Sequence, residues 1–272
     1  MDLLALALLL VAGCVTGFLA GFFGVGGGII LVPILLVYFS SIGVSSLVAT
    51  HVTFGTSLFI VIFASAASAY KYYTNGHVIW RAVAVIGIAS IVGAAIGTNL
   101  AAGMEGKTLQ RIFAAVITVV AFRLMGESKT KEAESVASAS PAWLAVTGVI
   151  VGLVSSLAGV GGGVFSIPMM HYMLKFPLKK ALGTSSATIV ITALAATIGY
   201  MLKGWDEMTT YAPELAAHTI GYVDYFHSLP VILGMVPLAT VGAAAAHKTN
   251  VNRLRTLYAI FLIVIAARMF FA

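Results

Sequence analysis

Charge is scarce in this chain: Asp, Glu, Lys and Arg supply only 9% of its 272 residues, against 60% hydrophobic side chains. So little polar surface cannot cover a water-soluble globule, and a mean hydropathy of +1.05 agrees. Cys14 is the only cysteine, which excludes an intrachain disulfide and any multi-cysteine metal or redox centre. No Asp or Glu lies deep in an apolar run, so a carboxylate-lined cation path and a carboxylate proton relay are disfavoured, with Asp224 at a run's edge left open. The net charge of +6 is spread over the ends of apolar runs rather than gathered on a basic face, so it points to membrane orientation and away from nucleic acid. Val11 to Cys14 resembles a lipoprotein cleavage box, but no Lys or Arg precedes it.

What the chain does have is length in its apolar runs, drawn at 3–39, 45–70, 79–101, 109–125, 142–173, 183–203, 223–247 and 254–271. Runs of this size exceed strand length, and a lipid-exposed backbone must satisfy itself internally, so helices rather than a barrel are expected. The expected fold class is an all-α polytopic membrane protein with eight hydrophobic segments. A polar stretch containing Glu127, Lys129, Lys131, Glu132 and Glu134 separates four segments from four. The division is a first membrane repeat at 1–125, a linker at 126–141 and a second membrane repeat at 142–272. A second polar stretch, Lys203 to Asp224, is acidic and reads as a solvent-facing loop.

The two halves echo one another. Gly17-x-x-x-Gly21-x-x-Gly24-x-Gly26-Gly27-Gly28, followed by Pro33, returns in Gly152, Gly159, Gly161, Gly162 and Gly163, followed by Pro168, at a constant offset of 135 (159 minus 24). Gly55-Thr56-Ser57 returns as Gly183-Thr184-Ser185 at 128, and Phe113 and Arg123 align with Tyr258 and Arg268 at 145. Eight crossings would divide Lys and Arg almost evenly between the two sides. If the glycine-broken first segment of each half instead enters and leaves on one side, eleven of the fifteen share a side, Lys71, Arg81, Lys129, Lys175, Lys180 and Lys248 among them. The expectation is therefore an inverted repeat with re-entrant broken segments, both termini outside the cytoplasm and the linker inside.

Three glycines within a membrane segment each cost about 1 kcal/mol of helix relative to alanine, so something must compensate for the break. Broken backbone at membrane depth is tolerated where it lines a cavity, and a half-helix starting there directs unpaired N–H groups at an anion. Gly26, Gly27, Gly28, Gly161, Gly162 and Gly163 are candidate substrate residues on this ground; close helix packing is the competing explanation. Thr56, Ser57, Thr184 and Ser185 join them as hydroxyls able to replace an oxyanion's hydration, although such side chains commonly bond to their own backbone. His51 and His171 could titrate near neutral pH and assist coupling or charge balance, or be structural histidines. Lys71 and Arg81, flanking the loop with His77 and Trp80, are either interfacial anchors or recruiters of substrate. The glycine runs lack the lysine and strand context of a nucleotide loop, and no catalytic triad is legible, so neither cofactor nor metal nor enzymatic residue is assigned.

The doubled glycine motif with its following proline, Gly55-Thr56-Ser57-Leu58 and the basic loop before Trp80 resemble the TauE/SafE family of membrane permeases over nearly the whole chain. The resemblance implies export of sulfite or a small organosulfonate such as sulfoacetate across the bacterial inner membrane, with a small anion and the lipid bilayer as partners. An anion-selective channel and a membrane-embedded enzyme or sensor are the rival classes, and oligomeric state is left open.

Overall fold

The computed structural model describes residues 3–112, 114–115, 140–250, 253, 256, 257 and 260. The expected fourth and eighth segments, the pairings of Phe113, Arg123, Tyr258 and Arg268, and most of the linker lie largely or wholly outside these. The first expected segment divides into α1 (Leu3–Phe23) and α2 (Gly28–Ser41), followed by α3 (Ser46–Thr74) and α4 (Trp80–Ala102). The later half holds α5 (Pro141–Ala158), the short α6 (Gly163–Pro168) continued by a π turn (Met169–Met173), and α7 (Leu178–Met201). The acidic stretch folds as α8 (Trp205–Tyr211), α9 (Pro213–Ala216) and a small antiparallel hairpin, β1 (Thr219–Ile220) with β2 (Val223–Asp224), before α10 (Ser228–Lys248). Six of the helices, α1, α3, α4, α5, α7 and α10, are long and apolar enough to cross a membrane.

Local chemistry sets the helix starts. The Ser45 side chain caps α3 by accepting from the Leu47 amide, and Ser140 caps α5 by accepting from Trp143, with Pro141 at the first helical position. α7 starts at Leu178, five residues before the apolar run begins, because Lys179 and Lys180 occupy its first turn at the rim, where long side chains can carry their charge away from lipid.

α3 and α7 form the centre: 78% and 72% of their apolar windows are buried, against half or less for the other four of these six helices. They run antiparallel, since Gly55 packs on the Cβ of Tyr200, Gly183 on that of Tyr72, and Val61 and Ile189 both meet Gly26 at mid-length. α1 lies parallel to α10, its Gly13, Gly17 and Gly21 pressed against the backbone of Val231, Met235 and Ala239. α4 and α5 are likewise parallel, with Gly148 and Gly152 against Ile86 and Ser90. A Cβ at any of these glycines would overlap a carbonyl, so small residues let the backbones touch where no hydrophobic force drives helices together.

Each broken segment doubles back. The Cβ position of Gly27 abuts Ala20 and the Thr16 carbonyl, that of Gly162 abuts Ser155 and the Val151 carbonyl, and Ala5 at the start of α1 borders the same cavity as Tyr38 to Val44 at the end of α2. One face of the molecule thus carries both ends of the α1–α2 hairpin with α8, α9 and the β-hairpin. The opposite face carries the loop after Thr74, the start of α5, Phe176 to Lys180 and the end of α10.

Candidate functional site

The glycine runs adopt one succession of backbone conformations. Gly24, Gly26 and Gly27 have φ of 63°, 80° and 87°, and Gly159, Gly161 and Gly162 have 68°, 77° and 88°. An L side chain at such a position costs about 1–2 kcal/mol, which is why the sequence places glycine there. Gly24 and Gly159 end α1 and α5 in left-handed turns, and Gly27 and Gly162 open α2 and α6. The first intrahelical bonds go from Ile30 and Leu31 to the Gly27 carbonyl and from Phe165 and Ser166 to that of Gly162. The earlier amides of each half-helix point ahead of these bonds, and their partial positive charge favours an anion.

The breaks also hold each other. A Cβ on Gly28 would lie 2.6 Å from the Cα of Val160, and one on Gly163 would lie 2.5 Å from the Cα of Val25. Ser57 donates to the Gly159 carbonyl at 2.9 Å and Ser185 to the Gly24 carbonyl at 3.1 Å, the latter also 2.6 Å from the Ser166 hydroxyl. Thr56 accepts from the Asp224 amide at 2.9 Å and Thr184 from the Ile79 amide at 3.0 Å, while Gly55 and Gly183 let the carbonyls of Tyr222 and His77 approach. Tyr72 and Tyr200 donate to the carbonyls of Gly21 and Ser156, near the ends of α1 and α5. Each Gly-Thr-Ser is therefore a clamp: glycine admits a loop, threonine receives its amide and serine fastens the break of the other half.

All ten residues expected at a substrate site are buried; Ser57 and Ser185 meet the glycine breaks, whereas Thr56 and Thr184 bond instead to the loops at Asp224 and Ile79. They line neither of the two described cavities, one of about 680 Å³ beside α8 and α9 and one of about 460 Å³ between α4 and α7. The two histidines stand at helix ends. His51 places Nε2 3.1 Å from the carbonyls of Ala101 and Met104, stacks on Tyr222 and leaves Nδ1 buried without a partner. His171 puts Nδ1 2.7 Å from the Phe176 carbonyl, closing the turn after the π segment.

Three further features lie outside the candidate site residues read from the sequence, although Asp224 is left open there as a carboxylate at the edge of an apolar run. Ser65 presents a buried hydroxyl without a hydrogen-bond partner 3.0 Å from the Cβ position of Gly26, and its spacing of eight from Ser57, which keeps both near one helix face, was the available signal. Asp224 is fully buried and bonds to His227 three residues on, a spacing visible in the sequence. His77 Nε2 lies 2.9 Å from His247 Nδ1, a pairing across 170 residues that leaves no local signal.

A family model described as Sulfite exporter TauE/SafE matches residues 9–269. The chain belongs to that family. Among curated relatives, a probable membrane transporter protein of Haemophilus influenzae is 27% identical over 97% of both chains. One of Methanocaldococcus jannaschii is 28% identical over 93% of this chain and 91% of its own length, and the Bacillus subtilis protein YunE is 22% identical over 98% of each. No solved structure matches the chain significantly. With six helices among the described residues long and apolar enough to cross a membrane, this TauE/SafE chain is a multi-pass membrane protein of a transporter family.

Proposed function

We propose that the chain is a secondary transporter that exports a small anion, sulfite or an organosulfonate such as sulfoacetate, across the bacterial inner membrane by alternating access. The observation that carries this reading is the pair of glycine breaks, meeting at mid-length of α3 and α7 and opening two half-helices there. A sulfonate is compact and offers three acceptor oxygens, which suits half-helix amides and the hydroxyls of Thr56, Ser57, Thr184 and Ser185 once the clamps open. Anion selectivity then needs no buried arginine, and an inside-negative potential favours export by about 2.3 kcal/mol per charge per 100 mV.

The proposed architecture is two repeats, 1–125 and 142–272, inverted about an axis in the membrane plane. Support comes from the antiparallel α3 and α7 and from contacts that recur with the halves exchanged, such as Ser57 to Gly159 and Ser185 to Gly24. The face bearing Lys71, Lys175, Lys179, Lys180 and Lys248 is assigned to the cytoplasm, which puts the N-terminus and the Glu214 loop outside.

The test is a thermal-shift screen of purified protein against sulfite, sulfate, sulfoacetate, taurine, thiosulfate and carboxylates, followed by counterflow of labelled sulfoacetate in proteoliposomes. Stabilisation by a sulfur oxyanion and saturable counterflow are expected. A shift only with cations would overturn the site, and current far above carrier turnover in a planar bilayer would replace the carrier by a channel.

A further inference from the structure

The α8–α9 face carries the described cavity of about 680 Å³, lined by Tyr38 of α2, Tyr211 of α8, Glu214 of α9 and, beyond them, His218, Phe226 and His227. Asp224 lies behind His227 with no exposed surface. Its Oδ1 accepts the amides of Phe226 and His227 at 2.9 and 3.0 Å, and its Oδ2 lies 2.6 Å from His227 Nδ1. Among the described residues this imidazole is the only basic side chain paired with that carboxylate. A buried carboxylate needs a cation, and histidine supplies one only after taking a proton.

We propose that Asp224 and His227 form a proton-binding site through which anion transport is coupled to proton movement. The proposal rests on the transporter reading above and supplies its coupling ion. Asp224 holds the ring with Nδ1–H directed inward, so the proton exchanged with the cavity is on Nε2. Deprotonated, the pair carries a net charge of −1 at the cavity and repels an anion. One proton taken from solution by Nε2 brings the pair to net zero and presents an N–H donor, so anion and proton bind together, each raising affinity for the other; in export the proton leaves with the anion, and a dianion such as sulfoacetate then still moves with a net charge of −1. The other titratable groups facing His227 are the Tyr38 ring at 5.4 Å and, around the same cavity, Tyr211, Glu214 and His218. Glu214 is exposed, where solvent screens it, and its charge favours the same protonated form. The route inward is structural: the Asp224 amide bonds to Thr56, whose neighbour Ser57 fastens the Gly159 break. A change in the charge of the pair therefore acts on a residue hinged directly to the clamp.

The test uses full-length protein in vesicles containing a pH dye. A sulfoacetate gradient should acidify the lumen as the anion enters, and His227→Gln and Asp224→Asn should each reduce that acidification by about tenfold or more, His227→Gln with a loss of anion entry as well because the unpaired Asp224 charge then repels the anion. Undiminished acidification in His227→Gln, or wild-type anion entry without acidification, would overturn the proposal. An NMR titration of the histidines in detergent reads the pair without substrate. One imidazole signal should respond to pH, vanish in His227→Gln and move in Asp224→Asn; the absence of any such response would also refute the site. Absence of counterflow beside a normal titration would instead remove the transporter reading.

Discussion

Ser185 illustrates how a residue's role depends on what lies opposite it. In the sequence it belongs to a short polar motif inside an apolar run; in the structure it joins the Gly24 carbonyl and the Ser166 hydroxyl, both buried. Ser185→Ala should lower stability in detergent by about 1–3 kcal/mol, because two partners lose a bond they cannot replace with water; thermal unfolding of the purified variant measures it. Gly162→Ala should be no milder, since φ of 88° strains an alanine and its Cβ would sit 2.6 Å from a methyl of Val151. It should still insert in the membrane but lose transport, read by surface expression beside sulfoacetate counterflow. Glycine identity at the breaks was legible because so many glycines in a membrane helix demand a reason. The hydroxyl partners were not, since Ser57 and Gly159 are 102 residues apart and no local pattern joins them.

Elements show where hydropathy reads well and where it does not. α3, α4 and α5 begin within one residue of their apolar runs, because leaving the bilayer is a change in composition, whereas α10 begins five residues into its run because β2 occupies the start. The hairpin that buries Asp224 looked like a plain acidic loop: Val223 and Asp224 are buried by packing on α3, a tertiary effect invisible to a hydropathy window. On the opposite face, the loop after α3 touches the end of α10 through His77 and His247, and Lys179 donates to the His247 carbonyl. Burial first, and then His247, Lys179 and Lys180, hold the His77 pKa below the ordinary 6.5. The unfolded chain therefore takes up this proton before the folded one does. Stability from this residue is intact above pH 6.5, declines as pH falls through that value, and levels off below the depressed folded pKa. Melting temperatures between about pH 7.5 and 5 should fall more steeply in wild type than in His77→Gln.

At the scale of the molecule, the arrangement into two faces makes a direct prediction. In a Cys14→Ser background, Glu214→Cys and Lys180→Cys should react with a membrane-impermeant maleimide from opposite sides of sealed vesicles; labelling of both from one side would refute the topology. The count of Lys and Arg is what leads to the expected sidedness, because interface charges are set by the bilayer, whereas the central pairing of α3 with α7 came only from packing. The reciprocal fastening of the breaks also bears on biogenesis. While the ribosome has delivered only the first half, the Gly24 carbonyl lacks Ser185, Gly28 lacks Val160 to pack upon, and the Gly13, Gly17 and Gly21 edge of α1 lacks α10. The nascent hairpin must therefore wait in the bilayer with its turn unsealed until α7 and α10 arrive, so helices of the later half complete the first ones.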